Sequence, residues 1–128
     1  IIAIENKFGL KYWAGAAEDH TGVYFDGLEN YPTNADVRTF SKQELQQLLE
    51  QSGYESIVFY YPFPDYKFPN QIFSDEYLPK PGELKFAPNY DRDRLVLFDE
   101  TRVWNNVLNS GMFDLFSNSF MICARPGG

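Results

Sequence analysis

The chain carries one histidine, and its surroundings set the first chemical question. His20 lies in the string Glu18-Asp19-His20-Thr21-Gly22. An imidazole with an ordinary pKa of about 6.5, set beside carboxylates, can act as a general base. The same position suits a surface histidine, or one that fixes its loop through a hydrogen bond. Asp19 beside it is a candidate substrate contact. Glu5 and Asn6 follow the apolar run Ile1-Ile2-Ala3-Ile4 at its carboxyl end. Ligands in open α/β sheets sit outside the carboxyl ends of strands, which makes both residues candidate substrate contacts. Simple strand termination is the alternative. Lys7, Lys11 and Arg38 are the cations that a phosphate-bearing substrate would meet, unless they are solvated charges. Tyr12, Trp13, Tyr24, Phe25 and Tyr31 crowd the same stretch. Such rings stack on sugars or pack a loop down. Of these cations and aromatics, Tyr12, Trp13 and Arg38 are taken as the candidate substrate contacts.

Other chemistries find little support. There is no second histidine and no helical metal-ligand spacing, so no metal site is expected. No spacing matches a calcium loop. No serine sits in a nucleophile elbow. Asp65, Asp75, Glu76, Asp91 and Asp93 offer carboxylates of the kind a glycosidase pairs, but they read mainly as solvated acids. Cys123 falls within an expected strand, where an inert buried thiol is the simpler reading. As the lone cysteine it excludes an internal disulfide and fits a reducing, cytoplasmic setting. The net charge of −7 disfavours nucleic acid and anionic membrane surfaces as partners. No apolar run approaches the roughly 20 residues that span a bilayer, so no membrane insertion is expected.

The elements that must position these residues follow from local signals. The 128 residues suit one domain. Twelve Phe, nine Tyr and two Trp supply large core side chains. Residues 1–6 read as a strand buried on both faces, because the apolar run does not alternate. Residues 8–38 read as a long loop with Gly9, Gly15, Gly22, Gly27 and Pro32. Ser41 and Glu44 have the spacing of a capping box, and Phe40 and Leu45 that of a hydrophobic staple. They start a helix over 42–52 with Leu45, Leu48 and Leu49 on one face and Gly53 as its stop. A strand over 56–61 follows, ended by Pro62 and Pro64. Residues 62–94 form an ordered irregular excursion. Asp99 caps a second helix over 100–110, with Val103, Val107 and Leu108 inward and Gly111 as the stop. The last element is a strand over 117–125, with Phe120 and Ile122 on one face and Met121 and Cys123 on the other.

The string from Arg38-Thr39-Phe40-Ser41-Lys42-Gln43-Glu44-Leu45 to Ser52-Gly53-Tyr54, and then Ser56-Ile57-Val58-Phe59-Tyr60, resembles the late part of class I S-adenosylmethionine-dependent methyltransferases. There a similar helix leads into the penultimate strand. Ile1 to Asn6 resembles that family's fifth strand, and Phe116 to Arg125 its final, antiparallel one. The Glu18–Gly22 loop and the Tyr61–Phe68 string resemble a bacterial subset found with glycosyltransferases in surface-polysaccharide or lipopolysaccharide biosynthesis. The resemblance implies an α/β fold class: a partial Rossmann-like methyltransferase sheet, mixed and three-stranded, with two helices and long irregular insertions. It places the final strand antiparallel between the other two.

The departures matter equally. The sequence holds no GxG, and the family's cofactor-bearing first strands have no counterpart. The chain therefore reads as a substrate-side fragment, inactive alone. S-adenosylmethionine would belong to the full-length parent, and the upstream part of the parent chain would be the natural partner. The alternative is a non-catalytic binding or scaffolding domain accompanying a glycosyltransferase. The bare start inside an apolar run reads as a cut edge, and an unpaired apolar strand invites an edge-strand homodimer.

Overall fold

The computed structural model describes residues 1–34, 36–84 and 95–127. It is a mixed α/β fold built on one sheet of four strands in the order β1-β4-β2-β3. The strands are β1 (Ile2–Glu5), β2 (Tyr54–Phe63), β3 (Gln71–Ser74) and β4 (Ser119–Pro126). β4 pairs antiparallel with β1 and with β2, and β3 pairs antiparallel with β2. β1 and β2 thus run the same way with the last strand between them. Every adjacent pair is antiparallel. The sheet has none of the parallel pairings of a Rossmann-like sheet, and it has four strands rather than three.

The additional strand is β3, which lies inside the expected excursion. Pro62 does not end β2. It is buried within the strand and sits opposite Ile72, while Tyr61 faces Phe73 and Phe63 faces Gln71. The missing N–H of Pro62 costs one ladder bond, and the aromatic residues on either side anchor the strand in the core. β2 also begins earlier than expected. A register shift between Glu55 and Val58, with Ser56 at positive φ, inserts one extra residue, the geometry of a bulge. The part of the excursion over 85–94, with Asp91 and Asp93, lies outside the described residues.

One face of the sheet carries the core. Ile4, Phe59, Tyr61, Phe63, Phe73, Phe120 and Ile122 line it, and Leu45, Leu49, Trp104 and Phe113 pack against them. The rings meet edge to face, as their quadrupoles favour: Phe59 on Phe120, Tyr61 on Phe113, and Phe63 on Trp104. Phe120 and Ile122 are fully buried while Met121 and Cys123 are partly buried, the alternation expected for this strand. β1 departs from expectation. Ile1 is 93% exposed and Ile2 40%. The strand lies at the sheet edge, so only β4 shields it.

Two helices flank the sheet. α2 (Lys42–Gln51) has its full capping box: Ser41 Oγ accepts from Glu44 N, and Ser41 N donates to Glu44 Oε1. Leu45 and Leu49 turn into the core, whereas Leu48 is 44% exposed, one position beyond the inward stripe. α3 (Glu100–Asn109) is capped by Asp99, which accepts from Arg102 N. Its main anchor is Trp104, with Val103, Val107 and Leu108 partly buried around it. α2 and α3 stop at Gly53 and Gly111, both at positive φ. Two single-turn helices were not foreseen. α1 (Leu10–Trp13) sits in the long loop, and α4 (Phe113–Phe116) precedes β4. The apolar run at 95–98 docks on the end of α1, where Leu95 N donates to Gly15 O. Gly15, at φ +114°, has no room for a side chain, since a Cβ there would press into the Leu95 backbone.

Candidate functional site

At the carboxyl ends of β1 and β2 three charged side chains meet. Glu5 is the last residue of β1, Lys11 lies on α1, and Asp65 follows β2 just past the Phe63–Pro64 peptide. Nζ of Lys11 lies 2.7 Å from Oε2 of Glu5 and 2.9 Å from Oδ2 of Asp65. The Glu5 side chain is 3% exposed. Lys11 and Asp65 lie nearer the surface.

A buried polar bracket brings these elements together. Asn118, just before β4, accepts from Lys11 N through Oδ1 and donates to Pro64 O through Nδ2. Its neighbour Ser119 accepts from Tyr66 N. Asn6 donates through Nδ2 to Leu115 O and Ser117 O, and its Oδ1 accepts from Phe8 N. Asn6 N donates to Asn118 O. One short polar run, Ser117-Asn118-Ser119, thus fixes α1, the 64–66 segment and the end of β1 at once. Asn6 is fully buried and serves this bracket, so its amide is engaged with backbone rather than open to a ligand.

The electrostatics follow from burial and proximity. Burial pushes the Glu5 carboxyl up to about 8; Lys11 pulls it down, and the charge of Asp65 and a hydrogen bond to it push it up again. Burial also raises Asp65, but Lys11 and the Glu5 hydrogen bond outweigh that and hold it below the usual carboxylate range. For Lys11, burial works against the charge, yet Glu5, Asp65 and Asp19 together hold the ammonium above its ordinary range. Burial thus favours the neutral form of Glu5, and Lys11 favours the ionised form of Asp65.

Tyr12 is buried beside this group. Its residue is 4% exposed, and its hydroxyl has no hydrogen-bond partner among the described residues. Burial, then the charges of Glu5, Asp19, Glu18 and Asp65, hold its phenol well above the usual range. The Lys11 ammonium lies 5.1 Å from its ring centroid. Oδ2 of Asp19 is 3.7 Å from Nζ of Lys67.

Of the residues singled out in the sequence, Glu5, Tyr12 and Asp19 come together here. His20 stands one step away. Its Nδ1 is 3.0 Å from Oε1 of the buried Glu18, whose two oxygens also accept from the backbone of His20 and Thr21. That carboxylate closes the turn. Trp13 points elsewhere: it stacks on Phe8, meets the edge of Phe116 and donates to Phe8 O. Arg38 is exposed, donates twice to Asn30 and covers the Tyr31 ring. Asp65 belongs to the group although it read as a solvated acid. Lys11 meets carboxylates rather than a phosphate. The signal for the bracket was present in the sequence as three consecutive polar residues between Phe116 and Phe120.

The glycines nearest the group, Gly9 and Gly15, face the chain's own backbone: a Cβ on Gly9 would meet Asn118 at 3.0 Å, and one on Gly15 would meet Leu95. Among the described residues no cluster of three or more His, Cys, Asp or Glu could hold a metal ion. Among them no helix is long and apolar enough to cross a membrane. No protein family, curated protein or solved structure matches the chain.

Proposed function

We propose that this chain is the acceptor-side portion of an S-adenosylmethionine-dependent methyltransferase of cell-surface polysaccharide biosynthesis, acting in the cytoplasm. In this reading the cofactor-binding half comes from an upstream segment of the same protein. The observation that carries it is the placement of Glu5, Lys11 and Asp65 at the carboxyl ends of two like-directed strands with an antiparallel last strand between them. That strand order is what the resemblance implies for the family's last three strands. Ligands of open α/β sheets gather at such ends. Within this chain, Tyr12 and Asp19 shape the acceptor side.

Titration calorimetry with S-adenosylmethionine tests the reading. The isolated chain gives no binding heat, and the protein extended by its upstream sequence gives a saturable one. Binding by the isolated chain would overturn the division of labour. No binding by the extended protein would overturn the methyl-transfer assignment. The second reading, a non-catalytic binding domain beside a glycosyltransferase, draws support from the β2–β3 hairpin region, where Phe68 is 86% and Tyr77 76% exposed. A glycan-binding screen in which Phe68→Ala abolishes capture would favour it.

A further inference from the structure

A second group of charges lies around the first residue of α2. Nζ of Lys42 is 2.8 Å from Oδ2 of Asp114 on α4 and 3.6 Å from Oδ1 of Asp75, which follows β3. The same ammonium lies over the rings of Phe59 and Tyr61, 5.5 and 5.6 Å from their centroids. The fully buried Tyr61 donates its hydroxyl hydrogen to Oδ1 of Asp75 at 2.6 Å. A helix N-terminus repels a cation, so the helix itself gives no reason for a lysine there. What Lys42 holds supplies the reason: the start of α2, α4 and the end of β3 meet on one ammonium. Asp75 is thus engaged from two sides, although its side chain is 56% exposed.

β3 itself has few other anchors. It is a four-residue edge strand that pairs only with β2 among the described residues. Phe73 is its one buried residue, set edge to face on Phe113, while Ile72 is 55% exposed. Exposed chain flanks it, residues 67–70 before it and 75–78 after it. Past those flanks the chain is fixed again. Asn118 and Ser119 hold Pro64 and Tyr66 on one side, and Gly82 N donates to Asn105 Oδ1 on the other. Between them, an exposed hydrogen bond runs from Gln71 Nε2 to Glu83 O. A segment with one buried anchor and exposed flanks opens at a lower free energy than the whole fold.

We propose that residues 67–78 form a flap that opens from the sheet edge while the rest of the fold stays intact, and that Lys42 is the latch that keeps it closed. Opening lifts Phe73 off Phe113 and uncovers part of the aromatic core. The 64–66 segment stays on its polar bracket, so the group of Glu5, Lys11 and Asp65 keeps its geometry when the flap is open. The flap is independent of the methyl-transfer reading.

Native-state hydrogen exchange, followed by NMR on the whole chain, tests the flap and the latch separately. In the unaltered protein the β3 amides should exchange at least about 10-fold faster than those of β4, the strand between β1 and β2. Asp75→Asn removes one charge of the latch at an exposed position. It should speed β3 exchange by about 3- to 5-fold, the value of a surface ion pair, and leave β4 unchanged. Lys42→Met should speed β3 and α4 together; if that variant does not fold, Asp75→Asn decides alone. The Lys11 amide, which donates to Asn118 Oδ1, should keep its rate in Asp75→Asn. Equal rates in β3 and β4 of the unaltered protein would overturn the flap, because β3 would then open only with the whole fold. An equal acceleration of both strands in Asp75→Asn, or none in β3, would overturn the latch. Acceleration at Lys11 matching that of β3 would overturn the independence of the flap from the site.

Discussion

Lys11 compensates two carboxyl groups that reach it from opposite parts of the chain, and the site's stability depends on that single ammonium. Replacing it with Met leaves the Asp65 carboxylate without its counter-charge beside the buried Glu5 carboxyl. Breaking a buried pair in this way costs on the order of 3 kcal/mol. Urea denaturation of Lys11→Met should show that loss, and an unchanged midpoint would mean the group is solvated rather than buried. Glu5 sets the pH dependence. Burial lets the folded chain hold a proton on Glu5 that the unfolded chain releases, with the folded pKa at about 8 against 4.5. Its contribution is fully present below the unfolded value and is lost as pH rises through about 8. Asp65 works in the other sense, because its folded pKa is lowered, and its contribution is lost on acidification. Calorimetric melting between pH 5 and 9 should therefore show stability falling toward alkaline pH, and Glu5→Gln should flatten that slope. A profile of equal slope in the variant would remove Glu5 as its source. At this scale the sequence was half legible. Glu5 stood out because it ends an apolar run. Its partner Asp65 did not, because 54 residues separate it from Lys11 and the Asn118–Ser119 bracket closes that distance.

At the scale of elements, local chemistry was the readable part. The capping box at Ser41 and Glu44, the Asp99 cap and the glycine stops are short-range devices, and each lies where its spacing implied. Glu44 has a second duty. Its Oε1 also meets Nζ of Lys7, because the chain before α2 runs beside the end of β1 through the Asn6–Phe40 bridge. Ser41→Ala should cost about 1 kcal/mol, the ordinary value of a lost N-cap, measurable as a lower urea midpoint. A change indistinguishable from zero would show that Lys7 alone holds the helix start. β3, by contrast, was not legible. Four residues carry no periodicity, and their place is set by β2 continuing through Pro62. Proline reads as a stop by backbone rules, yet burial of Tyr61 and Phe63 on the core face outweighs one lost ladder bond.

For the whole molecule, the contrast between the two faces of the sheet matters most. The core face is sealed by aromatic rings, while Val58 and Ile72 on the other face are 44% and 55% exposed. Among the described residues no strand pairs with the outer edge of β1, where Ile1 and Ile2 are exposed. Edges of this kind template pairing with another chain. Multi-angle light scattering at rising concentration should reveal a dimer, and Ile2→Lys, a charge placed on that edge, should return it to monomer. A monomer across the range would assign the edge no role in self-association. The expected two-faced burial of β1 failed for this same reason, since an apolar run reports the tendency to be covered and not the presence of a cover.

The central place of β4 also sets an order of events during synthesis. β1 and the core of β2 receive their shared neighbour only when residues 119–126 have left the ribosome. Until then α2 can form on its own caps, but β1 has no described strand to lie against, and Glu5 has neither its bracket nor its buried surroundings. Until that point the nascent chain carries β1 without its β4 partner. It can form the site only in a late, long-range closure, the kind of contact that slows folding and lengthens exposure to chaperones.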